Sequence, residues 1–149
     1  MILVLTSLLL ACAAEEESIE EHACEHATEA GGALTAGATR EDAPELPLDG
    51  EPYTVTLVDG ASGFLAVPVT GDTAALLFAG TADVVTGFYE GDTAVTLPEA
   101  APIEDCADDI PAHYDLDFHE AGTWYLEVGP AAVSEVWLLL GEGAHGHEE

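Results

Sequence analysis

The six histidines of this chain fall into three pairs, each spaced in a way that metal chemistry can use. His22 and His26 are four residues apart, so a helix would carry both imidazoles on one face and let them chelate a transition ion. His145 and His147 lie in the C-terminal tract Gly-Ala-His-Gly-His-Glu-Glu, and short His-rich tracts commonly bind metal. His113 and His119 bracket an alternating segment. In a strand, His113, Asp115, Asp117 and His119 would share one face, opposite Tyr114, Leu116 and Phe118. Imidazole-rich sets of this kind suit Zn²⁺ or Cu²⁺. Each pair also has a plainer account. The strand face reads as the solvated side of a half-buried strand, because side chains at i and i+2 stand about 7 Å apart, wide for one ion unless a neighbouring strand contributes. The helix pair reads as part of an acidic tether, and a His-rich tail binds metal weakly without any selection for function.

No other residue pattern points to a reaction. There is no Gly-x-Ser-x-Gly elbow, phosphate loop or His-Glu-x-x-His, and Ser7, Ser18, Ser62 and Ser134 have no nucleophile context. A blue-copper site needs Cys, His and Met together, yet Met1 is the only methionine and Cys106 has no neighbouring histidine. Thirty acidic residues stand against a single basic one, Arg40, giving a net charge of −29. Binding phosphate needs Lys and Arg to displace counterions, so nucleic acid is excluded as a partner. Docking on anionic headgroups by protein surface is disfavoured for the same reason. The charge favours solubility and attracts cations, while self-repulsion lowers stability at low salt.

The elements that must position these side chains divide at about residue 50. Ser18 and Glu21 form a capping box, Ala23, Ala27 and Ala30 favour helix, and Gly31-Gly32 stops it. From Gly31 to Gly50 the chain is small, polar and broken by Pro44 and Pro47, which reads as linker. From Tyr53 onward, β-rich runs alternate with Gly-Asp and Gly turns: 53–57, 64–69, 75–79, 83–88, 93–97, 113–118, 123–128 and 135–140. Eight short strands with turns every 8–12 residues predict an all-β fold, a single antiparallel sandwich or jelly roll. Gly-Asp-Thr-Ala occurs at 71–74 and again at 91–94, as expected of turn chemistry ahead of a strand.

Two resemblances add to this. The apolar run Ile2 to Ala11, ending Leu9-Leu10-Ala11-Cys12 and followed by Glu15-Glu16-Glu17, resembles a bacterial lipoprotein signal peptide with its lipobox. It departs from that pattern in having no Lys or Arg at the front, and a true start codon upstream of Met1 would account for this. The run is too short to span a bilayer, which takes about 20 residues. The resemblance implies cleavage before Cys12, a lipid on Cys12 and, from Ala13 after it, the outer membrane of a Gram-negative cell envelope. With Cys12 lipidated, Cys24 and Cys106 remain as a pair, and in an exported chain the default is a disulfide. Secondly, Tyr114-Asp115-Leu116-Asp117-Phe118 and Glu120 to Val128, with its Thr123-Trp124-Tyr125-Leu126 run, resemble the end of pre-peptidase C-terminal-like sandwich domains over about 20 residues. Such modules are accessory, and no catalytic residue carries over.

The expected organisation is a signal peptide over 1–11, an acidic tether over 12–50, a β-sandwich over 51–141 and a His/Glu tail over 142–149. The expected role is a membrane-anchored, non-catalytic module in binding or envelope structure. The alternatives are a Zn²⁺- or Cu²⁺-binding protein using His22, His26, His145 and His147, and an enzyme of unrecognised class. Partners are the membrane through its lipid, and an envelope protein or divalent cation.

Overall fold

Strict alternation over Ala112–Phe118 puts Tyr114, Leu116 and Phe118 in the interior and Asp115 and Asp117 in solvent, and the same two-residue period organises most of the chain. The computed structural model describes residues 17–143. Cys12, with its lipobox, and His145 and His147 lie outside the described residues. The elements are α1 (Ile19–His26), β1 (Gly32–Thr35), β2 (Pro52–Thr56), β3 (Gly63–Val69), β4 (Thr73–Ala79), β5 (Val85–Glu90), β6 (Thr93–Val95), β7 (Ala112–Phe118), β8 (Gly122–Val128) and β9 (Glu135–Glu142). They form an all-β sandwich of two sheets, ordered β1-β2-β9-β4-β7 and β3-β8-β5-β6. Both Gly-Asp-Thr-Ala copies are turns that open a strand, β4 and β6.

Between the sheets lies the main core. Phe88, Phe118 and Trp124 meet at its centre with ring centroids 5.1–5.6 Å apart, one pair stacked and two edge-to-face. The Trp124 indole N–H donates to Glu120 O at 3.1 Å, so the largest buried side chain leaves no orphan donor. Leu65, Val67 and Leu126 from one sheet face Val55, Leu77, Leu116, Leu138 and Leu140 from the other.

A second, smaller apolar cluster covers the outer face of the five-stranded sheet. There Phe78 and Leu139 are buried beneath Ala23 of α1, Ala27 at its C-cap, and Ile103 and Ile110 of the loop before β7. This explains why β4 and β9 break the alternation: Leu138, Leu139 and Leu140 are all buried because that stretch of sheet has apolar cover on both sides. The α1 helix starts as the capping box requires, with Ser18 Oγ accepting from Glu21 N–H and Glu21 Oε2 accepting from Ser18 N–H. Eight residues of helix are marginal alone. Cys24 is bonded to Cys106, on a short 3-10 turn over Glu104–Cys106, and this fastens the helix to the sandwich.

Two expectations need correction. The segment 31–50 is not a free linker. Its first residues form β1, which pairs with β2 in parallel, so the sandwich has nine strands and one parallel pair. The rest crosses from the edge of one sheet to the edge of the other: Gly37 exchanges two hydrogen bonds with Phe64, Leu46 N–H donates to Ala66 O, and Ala66 N–H donates to Pro44 O. Leu46 is fully buried. The prolines and small residues that suggest a linker here serve a backbone threaded closely along β3.

Arg40 anchors that crossing. Its Nη1 donates to Gly91 O at 3.0 Å and to Asp92 Oδ1 at 3.2 Å, and its guanidinium lies 4.7 Å from the Tyr89 ring centroid and 5.8 Å from that of Phe64. The chain's only Lys or Arg side chain is thus a clamp on the fold.

Candidate functional site

Buried side chains among the described residues are apolar, so the groups that could do chemistry lie at the surface. Helix spacing brings His22 and His26 together as expected, with ring centroids 4.4 Å apart. Each ring has one nitrogen engaged. His22 Nε2–H donates to Gly50 O at 3.0 Å, and His26 Nδ1–H donates to Glu29 Oε2 at 2.7 Å. His22 Nδ1 and His26 Nε2 remain for a metal. The His26 pKa is raised above its ordinary 6.5, first by the hydrogen bond to Glu29 and then by the charge of that carboxylate, with Glu51 and Glu25 adding to it. Cys24 is turned away from both rings into its disulfide.

The four residues expected to share a face of β7 are not one site. His113 stacks on Phe78, its cross-strand partner, with centroids 6.2 Å apart, and its Nδ1–H donates to Ala101 O at 2.7 Å. It is a packing residue that helps hold the loop against the β7 edge. Asp115 stands opposite Leu76 and lines a cleft of about 810 Å³ between the start of α1 and the ends of β4, β7 and β9. Glu17, Glu20 and Glu142 line it too, with His22. A further open cleft of about 940 Å³ beside the disulfide is also acid-lined, by Glu21, Glu25 and Asp105 among others.

Asp117 and His119 do come together, and Asp72 of the β3–β4 turn joins them. One donor atom from each of the three lies within 4.8 Å of the others, and all three side chains are exposed. His119 Nδ1 is 3.6 Å from Asp117 Oδ1. Among the described residues these are the group of three or more donors placed to hold a metal ion. Asp72 was legible in the sequence only as turn chemistry, because its proximity to Asp117 depends on β4 pairing with β7.

The two ends of the described chain also meet. Ile19 of α1 lies against Gly141 of β9, where a Cβ on the glycine would come within 2.6 Å of Ile19 Cδ1. Gly143 and His22 line the same cleft. Among the described residues no helix is long and apolar enough to cross a membrane. No family model matches this chain, and no curated protein sequence matches it.

Proposed function

We propose that this chain is an exported lipoprotein, held in the cell envelope by a lipid on Cys12, whose acidic β-sandwich serves in binding or envelope structure. The observation that carries this reading is the bonding of Cys24 to Cys106. A disulfide suits an oxidising compartment outside the cytoplasm. It also uses two of the three cysteines, so Cys12 has no cysteine in the chain left to pair with. That lone cysteine is the one at the end of the lipobox. A short helix tied to the sandwich then gives the anchor a firm attachment point at the domain surface. The test is intact-mass analysis and detergent-phase partition of protein from its native host. A mature chain starting at a lipid-modified Cys12, and release or arrested processing on Cys12→Ser, are the expected results. An unmodified Cys12 in the native host refutes the reading. Co-fractionation with outer-membrane markers tests the address.

A second reading is transition-metal binding by His22 and His26 together with the tail histidines His145 and His147. It is favoured by the helix and the last strand bordering one cleft, with two imidazoles side by side on the helix. Calorimetry with Zn²⁺ or Cu²⁺ on the full chain and on His22→Ala/His26→Ala tests it, with weaker binding by the variant expected.

A further inference from the structure

We propose that the outer edge of β7, at Asp115 and Asp117, docks an extended basic segment of a partner protein, which joins the five-stranded sheet as an added strand. Strip and partner rest on the binding role proposed above and not on a lipid at Cys12. Hydrogen-bond parity along β4 defines the edge. Gly143 N–H donates to Ala74 O, and Gly80 N–H donates to Trp137 O. Even-numbered β4 residues thus turn their backbone groups to β9, while Thr73, Ala75, Leu77 and Ala79 turn theirs to β7. Their partners there are Phe118, Leu116, Tyr114 and Ala112. The backbone N–H and C=O groups of His113, Asp115 and Asp117 therefore point out of the sheet edge.

One rung of that edge is taken. His113 exchanges two hydrogen bonds with Ala101, at 2.7 and 3.1 Å. The chain's own cover stops there. In the same antiparallel register Glu99 would stand opposite Asp115, where like charges oppose pairing. Among the described residues nothing hydrogen-bonds to the backbone of Asp115 or Asp117 on the outer side. Other edges offer less. Residues 37–46 run along β3, and β1 and β6 have four and three residues against seven in β7.

The side chains around the strip select the occupant. A strand added in the Ala101 register forms hydrogen-bonded pairs with Asp115 and Asp117, which sets two of its side chains opposite those carboxylates. Lys or Arg suits both places. Asp115 shares its cleft with Leu76, Glu20 and Glu142, so a cation there has apolar surface for its carbon stem and carboxylates for its head. The cation facing Asp117 also meets Asp72, because the two carboxylates have oxygens within 4.8 Å of each other. The residue between them turns to the interior side, where Tyr114, Leu116 and Phe118 are buried, and is apolar. The occupant therefore reads basic, apolar, basic. A second copy of this chain does not fit. Antiparallel pairing of β7 with β7 sets carboxylate against carboxylate, and a net charge of −29 opposes contact between copies.

The test uses the acetylated, amidated peptide Thr-Lys-Val-Lys-Val-Lys-Thr in about 0.15 M salt, in three forms: unmodified, N-methylated at the lysines, and N-methylated at the valines. All carry the same charge. On the added strand the lysine N–H groups face β7 and the valine N–H groups face away. In an NMR titration of the full chain, the unmodified peptide should shift the amides of Asp115 and Asp117 first and slow their exchange with solvent. Lysine methylation should weaken binding about tenfold or more, and valine methylation less than about threefold. Asp115→Lys/Asp117→Lys, with its fold checked by circular dichroism, should lose this peptide and gain the one with Glu in place of Lys. If both methylated peptides bind alike, charge attraction alone is at work and the proposal is overturned. Unchanged affinity of the Asp115→Lys/Asp117→Lys variant also overturns it, as does no binding at millimolar peptide. Sedimentation showing that the chain pairs with itself through this edge overturns the choice of partner. The lipid on Cys12 is read separately, by mass, so docking and anchoring can fail independently.

Discussion

Removing the Cys24–Cys106 disulfide should be among the most destabilising surface changes this protein can suffer. The bridge spans a sequence separation of 82 residues. Releasing a loop of that length returns about 4.5 kcal/mol of chain entropy to the unfolded state at 25 °C. A domain of this size is stable by only about 5–15 kcal/mol, so the loss removes a large share of the total. A second consequence is local. The α1 helix has eight residues, too few to persist in water, and buries only Ala23 completely, with Ala27 at its C-cap nearly so. Without the bridge it should open before the strands do and uncover Phe78 and Leu139. The perturbation is Cys24→Ser/Cys106→Ser, which keeps the side chains small and polar. Denaturant unfolding should show a loss of about 3–5 kcal/mol, and a melting temperature lower by about 10–20 °C. Hydrogen exchange should show α1 amides losing protection ahead of β9. A loss below about 1 kcal/mol, with α1 as protected as β9, would refute the reasoning and mean that apolar packing alone holds the helix.

Leu46→Ala should cost about 2–5 kcal/mol by equilibrium unfolding, since Leu46 is fully buried although it lies in a stretch that reads as linker. Arg40→Ala should cost about 1–3 kcal/mol through its bonds to Gly91 and Asp92 and its contact with the Tyr89 ring; proteolysis between residues 37 and 46 should become faster. NMR titration should give His26 a midpoint above 6.5, falling back on Glu29→Gln. Because its folded pKa is raised, the stability that His26 contributes is fully present below pH 6.5 and is lost as pH rises through the folded value.

The sequence by itself determined what depends on neighbours along the chain. The capping box at Ser18 and Glu21, the shared face of His22 and His26, and the alternation of Tyr114, Leu116 and Phe118 all follow from local geometry that any helix or strand imposes. The all-β class followed from the same periods repeated between turns. Residues whose surroundings come from far along the chain were not legible. The parallel pairing of β1 with β2 and the burial of Leu46 arise because 31–50 is threaded along another strand, and its Pro and Gly content looks the same in a linker. The period of β7 puts His113 on the outer face with Asp115 and Asp117 but does not show its stacking on Phe78, because Phe78 lies across from it only once β4 and β7 pair. The same pairing brings Asp72 to Asp117 and His119, residues more than 40 positions away in sequence. Local periodicity fixes which face a side chain takes, whereas strand order, set by how two sheets bury their common core, decides which other residues share that face.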